Sequence, residues 1–118
     1  MQDLVTVFSN EDGIQIFMDV QQDAVLQIGE AMQEIQEEAY MNGENWAIFF
    51  QYYLEQYAPD LLEGLESDAE AGMYAAYYET PENHRKALQL ADLLHALLAH
   101  PEQIYQILRT TEDEIEWD

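Results

Sequence analysis

The chain has no cysteine in its 118 residues, which excludes disulfides, a thiol nucleophile and Cys-ligated zinc, and leaves the redox state of its compartment unmarked. Positive charge is nearly missing as well. Lys and Arg total 3, at Arg85, Lys86 and Arg109, against 25 Asp and Glu, for a formal net charge of -22. Phosphate binding depends on clustered Lys and Arg, so direct binding of nucleic acid is excluded, and an anionic membrane surface is disfavoured for the same reason. Serine occurs only at Ser9 and Ser67, neither within a strained nucleophile elbow, and no glycine-rich loop could cradle a phosphate. No apolar run reaches membrane-spanning length and no basic-plus-apolar signal segment opens the chain, so the expected address is the cytoplasm.

What is present is a large apolar share, 48% of residues, in a chain long enough for one core and too short for two ordinary ones. We expect a single domain over residues 1–118, with 111–118 as an acidic C-terminal tail. Acid at this density repels itself, and the folded state is held by apolar burial against that repulsion. A basic partner would relieve it. The competing explanation is that the acid only keeps the protein dispersed.

Along the chain, Leu4–Phe8 and Ile14–Val20 are rich in β-branched and aromatic residues, and the turn cluster Ser9–Gly13 joins them as a β-hairpin with a loop of about five residues. From Asp23, Val25, Ile28, Met32, Ile35 and Ala39 recur at helical spacing. Gly29 interrupts this pattern, so Ala24–Ile28 could instead be a third strand. Gly43 reads as a helix terminator and Asn45 as the N-cap of an aromatic helix from Trp46 to Tyr57, whose rings belong in a core. Pro59 opens a short helix through Leu61, Leu62 and Leu65. Between Asp68 and Tyr78 the periodicity changes: two carboxylates and Gly72 suit a turn, and Met73–Tyr78 suits a strand covered on both faces. Thr80-Pro81-Glu82 and His100-Pro101-Glu102 each mark a helix start, the first leading to a central helix with Leu90, Leu94 and Leu97, the second to one with Ile104 and Leu108. Ile115 and Trp117 could anchor the acidic end. The expected class is α+β: an N-terminal hairpin plus a strand at about 73–78 in a small antiparallel sheet, packed against four or five helices.

Few residues suggest chemistry. Asp68 and Glu70 could point at one metal or substrate, yet such a pair arises readily by chance at this acid density, and no calcium-loop spacing accompanies it. His84 and His95 lie on one predicted helix, separated by about 16 Å of rise, too far to share an ion. His95 with His100 and Asp92 is a conceivable local group, but a helix-capping His100 and an ordinary surface or core His95 are the simpler reading. No cofactor, metal site or catalytic residue is expected, and the chain looks like a binder.

One set of segments carries a family likeness. Tyr40-Met41-Asn42-Gly43-Glu44-Asn45-Trp46, followed by Tyr53-Leu54, Pro59-Asp60-Leu61-Leu62 and Asp68-Ala69-Glu70-Ala71-Gly72-Met73-Tyr74, resembles the immunity protein 51 family from about Glu30 to Leu108. Ala69 stands where that family often has proline. The resemblance implies a bacterial immunity protein of a polymorphic toxin system, one that binds and blocks a cognate toxin domain. Charge adds the sign of that partner: a basic, substrate-binding surface, most simply that of a nuclease. Candidate contacts are Asn42, Asp68 and Glu70 from the family motifs, with Glu34, Glu37, Glu38 and Glu79 as exposed carboxylates; oligomeric state is not fixed by any of them. Trp46 is expected to pack. The alternative is an acidic nucleic-acid mimic. Glu30, Glu34 and Glu38 supply one charge per roughly 6 Å on a helix, a sparse copy of duplex DNA at about 1.7 Å per charge. A carboxylate enzyme on Asp68 and Glu70 is the third class, with no nucleophile or metal cage behind it.

Overall fold

The computed structural model describes residues 4–10, 13–79, 84–111 and 114–117. In chain order these form β1 (Thr6–Asn10), β2 (Gly13–Asp19), α1 (Asp23–Ile35), α2 (Gly43–Tyr57), α3 (Pro59–Leu62), β3 (Leu65–Ser67), β4 (Met73–Tyr78), α4 (His84–Ala99) and α5 (Pro101–Thr110). The expected α+β class holds: an antiparallel sheet in the order β1-β2-β4-β3, with helices packed on it.

The hairpin is tighter than its composition implies. Asn10 pairs with Gly13, so only residues 11 and 12 remain as its tip, and these lie outside the described residues. Gly13 has φ 151° and a Cβ there would run into the Tyr78 carbonyl oxygen, so glycine lets β2 pass close beside β4. On β2 and β4 the inward residues Ile14, Ile16, Met18, Tyr74, Ala76 and Tyr78 are buried. Helix α2 packs on β4, and α4 packs on β1 and β2. The expectation that Met73–Tyr78 is covered on both faces is overturned: burial alternates along β4, with Met73 exposed and Ala75 and Tyr77 half-buried. The described helices stack on one side only.

Packing decides one open local expectation and corrects two others. Residues 24–28 are helical, as the spacing from Asp23 implies, and not a third strand; α1 runs on through position 29, where glycine is needed because any Cβ would lie 2.9 Å from the Met41 Cβ. The aromatic helix begins at Gly43, and its N-cap is Asn42, whose Oδ1 accepts the Asn45 N–H at 2.9 Å. Asn45 instead sits buried in the first turn and donates its side-chain amide to the Tyr40 carbonyl. The helix begun by Pro59 stops at Leu62; Gly64 takes φ 83°, and Leu65 starts β3, an edge strand too short for any period to reveal. Thr80–Asn83, read as the start of α4, lie outside the described residues.

The aromatic helix divides along its length. Trp46, Phe49 and Phe50 are buried and pack ring on ring, and Phe50 meets Tyr74 edge-on at 4.9 Å. Burial of rings like these supplies much of the fold's driving force, at about 25 cal/mol per Å² of apolar surface. Tyr52 and Tyr53 are half-buried, and Tyr57 is exposed. At the opposite end α1 packs on α5, where Gln36 donates to the Leu108 carbonyl at 2.7 Å and accepts from Trp117 Nε1 at 2.9 Å. Ile115 is buried, so the acid-rich end is docked through the two residues expected to anchor it.

Candidate functional site

The acidic corner is a continuation of the β3–β4 hairpin. Asp68 N–H donates to the Ala75 carbonyl at 2.8 Å, and Glu70 and Met73 exchange both backbone hydrogen bonds. Opposed residues of an antiparallel pair point to the same face, so Glu66 opposite Tyr77, Asp68 opposite Ala75 and Glu70 opposite Met73 line the outer face of the sheet. Ala71 and Gly72 close the turn that Gly72 was expected to suit; positive φ among the glycines is confined to Gly13 and Gly64.

That corner is held from behind by the start of α2. Gly43 N–H donates to the Ala71 carbonyl at 2.9 Å, and a Cβ on Gly43 would overlap the carbonyls of Glu70 and Met73. Asn42-Gly43 and Asp68-x-Glu70, distant motifs in the sequence, are therefore one structural unit: the first sets the position of the second.

Across the rest of the outer face, register places Thr6 and Phe8 of β1, Gln15, Phe17 and Asp19 of β2, and Met73, Ala75 and Tyr77 of β4. Phe8 is 61% exposed and meets Phe17 edge-on, with ring centroids 6.4 Å apart. Glu66, opposite Tyr77 in the register, is the first cause of a raised Tyr77 pKa, and the charges of Glu79 and Asp68 add to that shift. No Lys or Arg occurs in the sequence before Arg85, so none of the strands contains a cation; Lys86 of α4 reaches the segment before β3, its Nζ donating to the Glu63 carbonyl at 3.2 Å. The cations of the chain lie on the first turn of α4 and the last turn of α5.

The predicted site residues separate into groups. Asp68, Glu70 and Glu79 are exposed around Tyr77 and β4. Glu34, Glu37 and Glu38 are exposed at the carboxyl end of α1, beside the Gln36 contact with α5 and Trp117. Asn42 is half-buried as a helix cap, and Trp46 is core, with its Nε1 lacking a hydrogen-bond partner among the described residues. Sequence reasoning missed Glu66, Phe8 and Tyr77. The signal was present in the period-two spacing of Glu66, Asp68 and Glu70, which belongs to one face of a strand.

Nor do the other candidates assemble a reaction centre. No group of three or more metal-ligating side chains comes together among the described residues. His95 Nε2 accepts the Val5 N–H at 3.1 Å, tying α4 to the start of the sheet, and His100 holds the N-cap position of α5 without a side-chain cap bond. The chain does form a groove of about 370 Å³ between α2 and the C-terminal segment, lined by Ile48, Gln51, Tyr52, Glu55, Glu114, Ile115 and Glu116. There the Tyr52 hydroxyl donates to Glu114 at 2.7 Å, which raises the Tyr52 pKa to about 12.

A family model, immunity protein 51, matches residues 5–113. The chain belongs to that family. It is therefore an immunity protein for a toxin, and the matched span takes in the whole sheet, the α2 start and the acidic corner. Comparison of this immunity protein with curated proteins and with solved structures finds no match. Among its described residues, no helix is long and apolar enough to cross a membrane.

Proposed function

We propose that this immunity protein acts in the cytoplasm of a bacterium carrying a polymorphic toxin system, and that it neutralises its cognate toxin domain by covering a basic, substrate-binding surface with carboxylates. It does so by occupancy, as one domain, with no turnover of its own. The observation that carries the proposal is the row Glu66, Asp68 and Glu70 along one face of a sheet whose strands contain no Lys or Arg, held by the α2 start that the family resemblance also includes. A nuclease is the simplest toxin with such a surface, because binding nucleic acid requires Lys and Arg there. Electrostatic attraction would accelerate capture, which matters when free toxin is lethal to the cell.

The mimic reading gains nothing from this arrangement. Alternate residues of a strand are about 6.6 Å apart, several times the charge spacing of duplex DNA. Co-expression with the toxin domain encoded beside this gene should restore growth to cells that the toxin alone kills, and unrelated nucleases should be unaffected. Stopped-flow association of the purified pair should slow steeply as salt is raised. An association rate indifferent to ionic strength would remove the electrostatic half of the proposal.

A further inference from the structure

We infer that the toxin contact is centred on the outer sheet face around Phe8 and Phe17, and that what docks there is a toxin segment presenting an apolar side chain between lysines or arginines. This deepens the immunity reading above and rests on it.

An antiparallel sheet with one open face ordinarily turns polar residues outward on that side. Here the open side carries an apolar band across three strands: Phe8 at 61% exposure, Phe17, its cross-strand partner Ala75, and Met73 at 38% exposure. A contiguous apolar band on a surface this charged is what the centre of an interface looks like, with aromatic and Met side chains inside and polar groups at the rim. The rim is of one sign. Glu66 and Asp68 stand along the β3 side, Asp19 lies at the end of β2 opposite Met73 and accepts the Gln21 N–H, and Tyr77 lies between the band and Glu66. Tyr77 stands directly opposite Glu66 in the strand pairing, and an aromatic ring beside carboxylates adds a further contact for a cation.

Those features choose the occupant. A second copy would bring like charges face to face, which the rim opposes. A wholly apolar segment would strip water from Glu66 and Asp68 without pairing them. A segment with an apolar residue flanked by cations satisfies the band and the rim together. The groove beside α2 is a weaker seat, since Glu114 is already engaged by Tyr52 and the chain's own Ile115 forms part of its wall.

The test uses a synthetic peptide of alternating arginine and leucine, titrated into isotope-labelled protein and followed by amide chemical shifts. Shifts should concentrate on β1, β2, β3 and β4. Phe8→Ala should weaken the complex roughly tenfold, and the pair Glu66→Gln with Asp68→Asn should weaken it and flatten its salt dependence. Tyr52→Phe should leave the affinity unchanged. Thermal melts check that each variant is folded. Absence of saturable binding, shifts spread over all acidic surfaces, or full affinity in Phe8→Ala would overturn the inference. A parallel arm expresses the same variants with the neighbouring toxin domain. If the unaltered protein protects and Phe8→Ala protects equally, the surface is wrong while neutralisation stands; if the unaltered protein gives no protection, the immunity mechanism fails and the peptide titration alone judges the face.

Discussion

The outer sheet face and the groove beside α2 are built from the same parts. Each has a tyrosine beside a glutamate, further carboxylates around it, and aliphatic or aromatic side chains as a base. They differ in what already occupies them. At the groove the chain supplies part of its own complement: Ile115 is buried in the wall and Glu114 is bound by Tyr52, while Trp117 of the same segment reaches Gln36. On the sheet, Phe8 and Met73 remain exposed, and no cation occurs anywhere in β1–β4. Acid and aromatics alone therefore do not distinguish the two regions. What sets the sheet apart is the large apolar surface that Phe8 and Met73 leave exposed.

That contrast breaks first where both regions meet the body. Gly43→Ala should be the most damaging single change, because the added Cβ collides with the backbone carbonyls of Glu70 and Met73, and backbone cannot rotate aside as a side chain can. A loss of about 3 kcal/mol or more in urea unfolding is expected, together with loss of the corner's binding geometry. Trp117→Ala comes next, at about 2 kcal/mol, since it leaves the buried Gln36 oxygen without its donor and uncovers part of the core. It should leave affinity for the arginine–leucine peptide as it was. Weakened binding with unchanged stability would reverse the assignment of the two regions.

The difference in effect follows from what short-range sequence can express. The hairpin, the α2 aromatic core and the α4 apolar face were legible because each depends on spacing within one element. The strand β3 was not, because its three residues are held by pairing with β4 and by the φ of Gly64, neither of which has a local period. The same holds for the start of α2. Gly43 reads as a terminator by propensity, yet it is required at N1 because the corner's carbonyls come up against it, a contact made across the fold. The candidate site was half legible. Asp68, Glu70 and Glu79 were named from motif and charge, whereas Phe8 was assigned only to a hairpin, since which face of a sheet the helices cover is decided by tertiary packing.

A smaller effect separates burial from exposure on the sheet itself. Phe8→Ala should change folding stability by only about 1 kcal/mol, the size of one edge-on ring contact with Phe17, because most of its surface faces solvent already. Chemical denaturation with an unchanged m-value checks this. A loss several times larger would make Phe8 a structural residue and remove it as an interface anchor.

The finest distinction lies in the two tyrosines at alkaline pH. Tyr52 is raised to about 12 in the folded protein, first by its hydrogen bond to Glu114, then by desolvation and by that carboxylate's charge. Tyr78 is raised to about 12 by burial, and Tyr74 is raised further by the same cause. Because these folded values lie above the ordinary phenol value near 10, their stabilisation is complete below about pH 10 and is lost as pH rises through the folded values. Alkaline unfolding should therefore set in above about pH 10, and Tyr52→Phe should remove only a small part of that slope. Glu114→Gln should bring Tyr52 down towards the ordinary value, visible as earlier tyrosinate absorbance. Tyr77, raised first by Glu66 opposite it, should respond to a different perturbation. A docked cation favours its phenolate, so saturating arginine–leucine peptide should lower Tyr77 while Tyr52 stays where it was. If the peptide instead moves Tyr52, the chain's own C-terminal residues are a displaceable plug, and the groove rather than the sheet is the seat for a basic partner.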